Sequence, residues 1–287
     1  MADTPSEELD PAFAARVLNE HGYAFHYAAL RHAMEVESSP FSPWRVAASE
    51  LPVNVNGKDT RVDFVLRHKS DVAFMVVECK RVNPAFTDWC FFRAPFVRAD
   101  DHHPTYWLEH WERIPEHGWT VVKGVPRGDA KGAYHIALSL KGKREGDKCG
   151  SDGRQGAEEA FTQAMRHSAG LVKMLSEHRG LVPLPGLQER VIVPAVFTTA
   201  RLWTSEVDLG LADLASGQID PKDVVLKERP WIAFQYHTTQ GLRPLPRQAS
   251  VNDLGTYLTQ YVIRTIFVAN TNGIHDFLEF AGKLLEP

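Results

Sequence analysis

Residues 72 to 81 read VAFMVVECKR, an apolar run of strand length that sets Glu78 and Lys80 two residues apart at its end. Side chains at i and i+2 of a strand point to the same face, so a carboxylate and an ammonium share one side of a segment that otherwise belongs in a core. That placement needs a reason, because a buried charge is tolerated only when it is paired or ligated. The same acid-x-lysine spacing recurs at Asp129/Lys131 and Asp220/Lys222, within GDAKG and IDPKD. Both of those stretches are turn-like, and only Glu78 and Lys80 sit in a strand.

The sequence just before this run predicts its neighbours. WRVAASELPVNV and KDTRVDFVLRH are β-prone and are joined by Asn56-Gly57, the strongest short hairpin signal. A two-residue turn there places Glu50 directly opposite Asp63. A second turn centred on Ser70-Asp71 places Asp63 directly opposite Glu78. The expectation is three carboxylates on one face, with Val65 and Val76 beside them and Val62, Phe64, Val77 and Cys79 on the other. Apolar residues on both faces imply a sheet covered on both sides. Directly opposed carboxylates repel, and a bound divalent cation reverses the sign of that interaction. A bulge at Pro52 would move Glu50 out of line.

The remaining chain supplies helices around these strands. Asp10-Pro11 reads as an N-cap and first helical residue, and Tyr23, Tyr27, Leu30 and Met34 recur at helical spacing, so a helix is expected to about Glu37. Ser38-Ser39-Pro40 and Pro43 end it. After Pro84 comes an aromatic, proline-interrupted insertion with a strand at AYHIALSL. Residues 157 to 178 predict a helix whose broad apolar face carries Ala160, Phe161, Ala164, Met165, Leu171, Val172 and Leu175. VIVPAVFTTARLW, PWIAFQY and RTIFVAN predict further strands, and a last helix starts near Asn272. This order predicts an α/β fold with a mixed central sheet flanked by helices. Residues 1–287 are read as a single domain, with 84–156 as an insertion and 204–287 as a C-terminal extension.

A formal net charge of −4 means that any nucleic-acid contact must come from a local basic surface. One stretch qualifies: between Val121 and Arg154 eight basic residues stand against four acidic ones. Lys123, Arg127, Lys141, Lys143 and Arg144 are its candidate contacts, although a solvated Gly-rich loop has the same composition. Three cysteines without CxxC spacing argue against a disulfide framework or a thiolate zinc site. MADTPSEELDP has no basic stretch followed by an apolar one, and no apolar run approaches a membrane span, so a cytoplasmic protein with no membrane partner is expected. Asp100-Asp101-His102-His103 has metal-ligating residue types but reads as a solvated loop, and His167, four residues after Gln163, has two readings, a site-facing residue and, more commonly, a helix-surface histidine.

VDFVL at 62–66 and VVECKR at 76–81, after a helix and hairpin and before EAFTQAMRH, resemble the PD-(D/E)xK nuclease superfamily. The likeness covers roughly residues 10 to 203 without the insertion. It implies a restriction-endonuclease-like core and Mg²⁺-dependent hydrolysis of phosphodiester bonds, with Mn²⁺ able to substitute. Asp63 and Glu78 would bind the metal together with the carbonyl of Cys79, and Lys80 would position or activate the attacking water. Gln163 matches a glutamine that some members carry on the following helix. Val62 stands where the family has proline. An acidic residue on the first helix is also common there, so Glu20, Glu35 and Glu37 compete with the strand-derived Glu50. The implied partner is nucleic acid, DNA first, and the implied setting is restriction or phage defence, with a homodimer or a defence-system partner. The competing reading is a non-catalytic nucleic-acid-binding or assembly protein that keeps the fold.

Overall fold

The computed structural model describes residues 10–39, 42–71, 73–93, 106–114, 118–128, 134–140, 151–153, 155–177, 189–237 and 262–286. Helices α1 (Pro11–Glu20) and α2 (Tyr23–Glu37) lead into strands β1 (Trp44–Val55), β2 (Lys58–His68) and β3 (Ala73–Lys80). Strands β4 (Asp88–Phe92), β5 (Tyr106–Ile114), β6 (Gly118–Arg127), β7 (Ile136–Leu140) and β8 (Ser151–Gly153) precede helix α3 (Gln155–Glu177). Then follow β9 (Glu189–Thr198), β10 (Arg201–Ser205), β11 (Leu226–Arg229), β12 (Trp231–His237), β13 (Ile263–Asn270) and helix α4 (Ile274–Leu284).

The hairpin behaves as its turn residues dictate. Asn56 and Gly57 both have positive φ, 52° and 78°, as a two-residue turn of the primed type demands. Val55 pairs with Lys58, and the pairs Leu51–Val62 and Ser49–Phe64 bracket Glu50 and Asp63. Pro52 keeps its place opposite Arg61, and the irregularity lies instead between Val46 and Ala48. β2 and β3 pair from Arg67–Phe74 to Phe64–Val77, the register that a turn at Ser70-Asp71 sets.

These strands form one side of a mixed sheet ordered β1-β2-β3-β9-β13-β12. β9 runs parallel to β3, and β13 runs parallel to β9. A parallel step cannot be closed by a tight turn, and α3 lies on the chain between the two strands. β5 pairs with the first residues of β9, and β6 pairs with β5, so the 84–156 segment is woven into the central sheet. It also supplies β4, β7 and β8 to a second sheet, ordered β11-β10-β4-β7-β8.

Both faces of the central sheet are covered. On one, α2 and α4 pack against Phe64, Leu66, Met75, Val77, Phe197 and Phe267. On the other, Leu171, Val172 and Leu175 of α3 cover Val53, Val62, Val65, Val76 and Ile192. Val62 thus lies on the opposite side from Phe64, contrary to strict alternation. The N-terminal helix also departs from expectation. Gly22, with φ of 79°, breaks it into α1 and α2. The inward face of α2 is His26, Ala29, Leu30 and Ala33, while Tyr23, Tyr27 and Met34 are exposed. Two alanines bring the helix backbone close to the sheet, and the larger side chains turn outward. Cys79 and Cys90 are free thiols. Among the described residues no helix is long and apolar enough to cross a membrane.

α3 sits close to β1 because Gly170 has no side chain. A Cβ there would meet Val53 Cγ2 at 2.7 Å and Val55 Cγ2 at 2.9 Å. Overpacking of this kind costs about 1–3 kcal/mol, against roughly 1 kcal/mol that alanine gains over glycine in a helix. With three contacts under 3.0 Å the upper part of the net, about 0–2 kcal/mol, applies, and Gly170→Ala is expected to lower the melting temperature by about 2–4 °C. An unchanged melting temperature in a thermal unfolding scan would show that the helix does not seat on β1 through this glycine.

Candidate active site

The β2–β3 ladder ends at Phe64–Val77, and the next pair of residues does something else. The Asp63 carboxylate takes the ladder's role, as the Cys79 backbone N–H donates to Asp63 Oδ2 at 2.6 Å. The two strands therefore part where Asp63 and Glu78 face each other. β2 also slips in phase here. Thr60 approaches α3 through its 3.0 Å contact with His167 Nε2, and Val62 packs beneath the same helix with Val65. Across the hairpin Glu50 has φ of 49°, a left-handed conformation that costs a non-glycine residue about 1–3 kcal/mol.

The slip corrects one expectation. The three carboxylates do not share a single face. Glu50 and Asp63 turn to α2, where His26 Nδ1 stands 3.0 Å from Glu50 Oε1 and 3.9 Å from Asp63 Oδ1. Glu78 turns to α3, where His167 Nδ1 stands 3.0 Å from Glu78 Oε2. The acids meet at the gap between the parted strands, each side backed by a buried histidine. Of the glutamates weighed for the third acidic position, Glu50 is the one that joins the cluster. Glu37 accepts from the Val46 N–H, Glu35 faces Arg31 and His32, and Glu20 faces Arg16.

α3 presents a row at helical spacing: Glu159, Gln163 and His167. Lys80 Nζ donates to Glu159 Oε2 at 2.8 Å, and His167 reaches Glu78, so Gln163 lies between two residues that touch the cluster. Its Oε1 is buried without a hydrogen-bond partner. His167 is 4% exposed, which corrects its reading as a surface residue. Its spacing of four from Gln163 is the sequence signal that marks it as a site-facing alternative. His26 carried no such signal, because the larger side chains of α2 pointed to a different inward face.

The electrostatics follow from the crowding. The Asp63 carboxyl is pushed up to about 7, first by burial and then by Glu78, with Glu50 adding to the rise. The Cys79 N–H and Lys80 pull the other way and lose. The Cys79 thiol is also pushed up, by burial and by Asp63 and Glu78, so it stays neutral and packs with the core. Among the described residues no three His, Cys, Asp or Glu side chains are arranged to hold a metal ion. The donor set, carboxylate oxygens that repel one another, is of the type that suits a hard cation.

Beside Lys80 opens a cleft of about 550 Å³, lined by Glu20, Lys80, Arg81, Asn83, Phe86 and Glu159 among others. Of the five basic residues expected to contact nucleic acid, only Arg127 and the backbone of Lys123 lie within the described residues. Lys123 pairs with His110, and His110 pairs with Val191 near the start of β9, whereas Lys80 lies beside Thr198 at its end. Seven residues of strand separate those levels by roughly 23 Å. Arg127 ends β6 beside Tyr106 and is half-buried. Lys141, Lys143 and Arg144, and the Asp100–His103 group, lie outside the described residues. Arg61, whose Nη1 is 3.7 Å from Glu50 Oε2, and Arg81 are the cations that the fold places nearby.

No family model, curated protein or solved structure matches this chain.

The raised Asp63 carboxyl makes stability depend on pH in metal-free protein. Between pH 3.8 and about 7 the folded state holds a proton that the unfolded state has released, so stability falls as pH rises through that window. The full span corresponds to at most about 4 kcal/mol. Asp63→Asn keeps an acceptor for the Cys79 N–H but removes the charge. In urea unfolding with EDTA it is expected to be more stable than wild type at pH 8 and to lose that advantage near pH 4. Parallel pH profiles for the two proteins would show that the Asp63 carboxyl is not raised in the folded state.

Proposed function

We propose that this chain is a metal-dependent nuclease of the PD-(D/E)xK type that hydrolyses phosphodiester bonds of DNA. The observation that carries the reading is the parted end of β2 and β3, where Asp63, Glu78 and Lys80 converge beside an open cleft. The order α2, β1, β2, β3, α3, β9 supports a restriction-endonuclease-like core for it.

In this reading Asp63, Glu78, Glu50 and the Cys79 carbonyl hold Mg²⁺ or Mn²⁺. When bound, such an ion lowers the pKa of water and offsets charge on a phosphoryl oxygen. Lys80, its ammonium held by Glu159, orients the attacking water and stabilises the charge that develops as one P–O bond forms and another breaks. Glu159 fixes the direction of the Lys80 ammonium, and Gln163 offers its unpartnered oxygen to a water or substrate donor. The cleft beside Lys80 and Arg81 receives the phosphate backbone.

A second reading has its own support. Glu50 and Glu78 each already face a histidine, and Lys80 already has Glu159, so each of these side chains has a partner within the protein. A non-catalytic nucleic-acid-binding protein would look like this. Incubation with linear, circular and single-stranded DNA and with RNA, in Mg²⁺, Mn²⁺ and EDTA, separates the two. Cleavage that EDTA abolishes is the expected result. Lys80→Ala should then lower the cleavage rate by about 10²–10⁴-fold with calorimetric Mg²⁺ binding unchanged, since lysine is not a cation ligand in this scheme. Near wild-type cleavage by that variant would remove Lys80 from the mechanism.

A further inference from the structure

Three rings form one stack through α2. Phe64, fully buried on β2, lies with its centroid 6.2 Å from His26 and 15° from parallel. His26 in turn faces Tyr27 at 4.7 Å and 12°. Exposure rises along the stack, from 0% at Phe64 through 4% at His26 to 53% at Tyr27. The series therefore starts in the core, passes the ring that touches Glu50 and Asp63, and ends on an aromatic face open to solvent. Tyr23, one helical turn before Tyr27, is 49% exposed, and Arg31, one turn after it, is exposed as well.

Resting on the nuclease reading, we propose that Tyr27 is a base-stacking platform that gives this site a preference for single-stranded nucleic acid or for unpaired ends. A planar ring held rigidly by a stack beneath it offers a base a pre-ordered partner, and every base has a π-face to offer in return. In the interior of a duplex both faces of a base are already stacked, so only an unpaired or extruded base can add to Tyr27. The ring lies against the histidine that is 3.9 Å from Asp63, so a base seated on it brings its own phosphate towards the carboxylate cluster. Arg31 stands on the same helix face to meet a neighbouring phosphate. The competing occupant is a second copy of the chain, since Phe13, Leu18 and Met34 are also exposed on α1 and α2. Stacking continuity with the carboxylate cluster singles out Tyr27 and favours the base.

The test uses Tyr27→Ala, Tyr27→Phe and Tyr27→Trp in the full chain, with fluorescence anisotropy in EDTA against single-stranded DNA, single-stranded RNA and blunt duplex DNA of equal length. Tyr27→Ala is expected to weaken single-strand binding by about 5- to 100-fold, the size of one lost base stack, while Phe and Trp retain it and duplex binding is unchanged. A 2-aminopurine base in the single strand should be quenched by wild type and not by Tyr27→Ala. The DNA and RNA arms show whether the sugar matters. Equal single-strand affinity of wild type and Tyr27→Ala, an equal loss on duplex, or no single-strand binding by wild type overturns the proposal. So does a dimer in sedimentation that Tyr27→Ala dissociates. Mg²⁺-dependent cleavage that ignores Tyr27 would sink this inference alone. Tyr27-dependent binding without cleavage in Mg²⁺ or Mn²⁺ would sink the nuclease reading alone.

Discussion

The hydrogen bond from the Cys79 N–H to the Asp63 carboxylate organises everything around the candidate site. It replaces a rung of the ladder, holds β2 and β3 apart at their ends, and fixes one oxygen of Asp63 while the other points towards His26. A hydrogen bond to a charged group contributes about 1.5–3 kcal/mol, yet it does not keep Asp63 at an ordinary carboxylate pKa. Burial and two neighbouring glutamates outweigh it, with Lys80 added on its side. Asp63 therefore keeps its proton further up the pH scale than an ordinary carboxylate, and His26 and His167 stand against the cluster from two sides.

Those histidines come from opposite layers. α2 brings His26 from one side of the sheet and α3 brings His167 from the other, and both are buried at 4% exposure. Their positions depend on how closely each helix sits. Ala29 and Ala33 let α2 approach, and Gly170 lets α3 rest on Val53 and Val55. The geometry of the carboxylates is thus a consequence of small residues some distance away. Tyr27 lies on the outward side of α2, with its ring over His26 and open to solvent.

The 84–156 segment changes the meaning of an insertion in this fold. Its β5 shares an edge of β9 with β13, and its β4 pairs in parallel with β10, so it helps to build both sheets. Asp88, at the start of β4, ties the second sheet together. Burial disfavours its charge, but bonds from Arg201, Thr87 and Trp203 outweigh that and hold its carboxyl below the usual range. The wall of the cleft beside Lys80 includes Asn83 and Phe86, from the connection between β3 and this sheet.

The sequence by itself determined the local pairings. Asn56-Gly57 can adopt the two positive φ angles of a tight turn, and that alone set the hairpin register that brackets Glu50 and Asp63. The side-chain period of a strand then put Lys80 beside Glu78, and helical spacing marked out α3 almost to its ends. Tertiary structure decided which way those residues face. The phase slip at Asp63 and the left-handed Glu50 arise where β2 parts from β3, and no periodicity within one strand records that event. His26 and His167 became partners of the carboxylates only when two helices closed on opposite faces of the sheet. Register is a local property, carried by a turn and a repeat of two. Orientation at a parted sheet end depends on packing between residues 37 positions apart at His26 and Asp63 and 89 apart at Glu78 and His167, and such contacts form only in the folded chain.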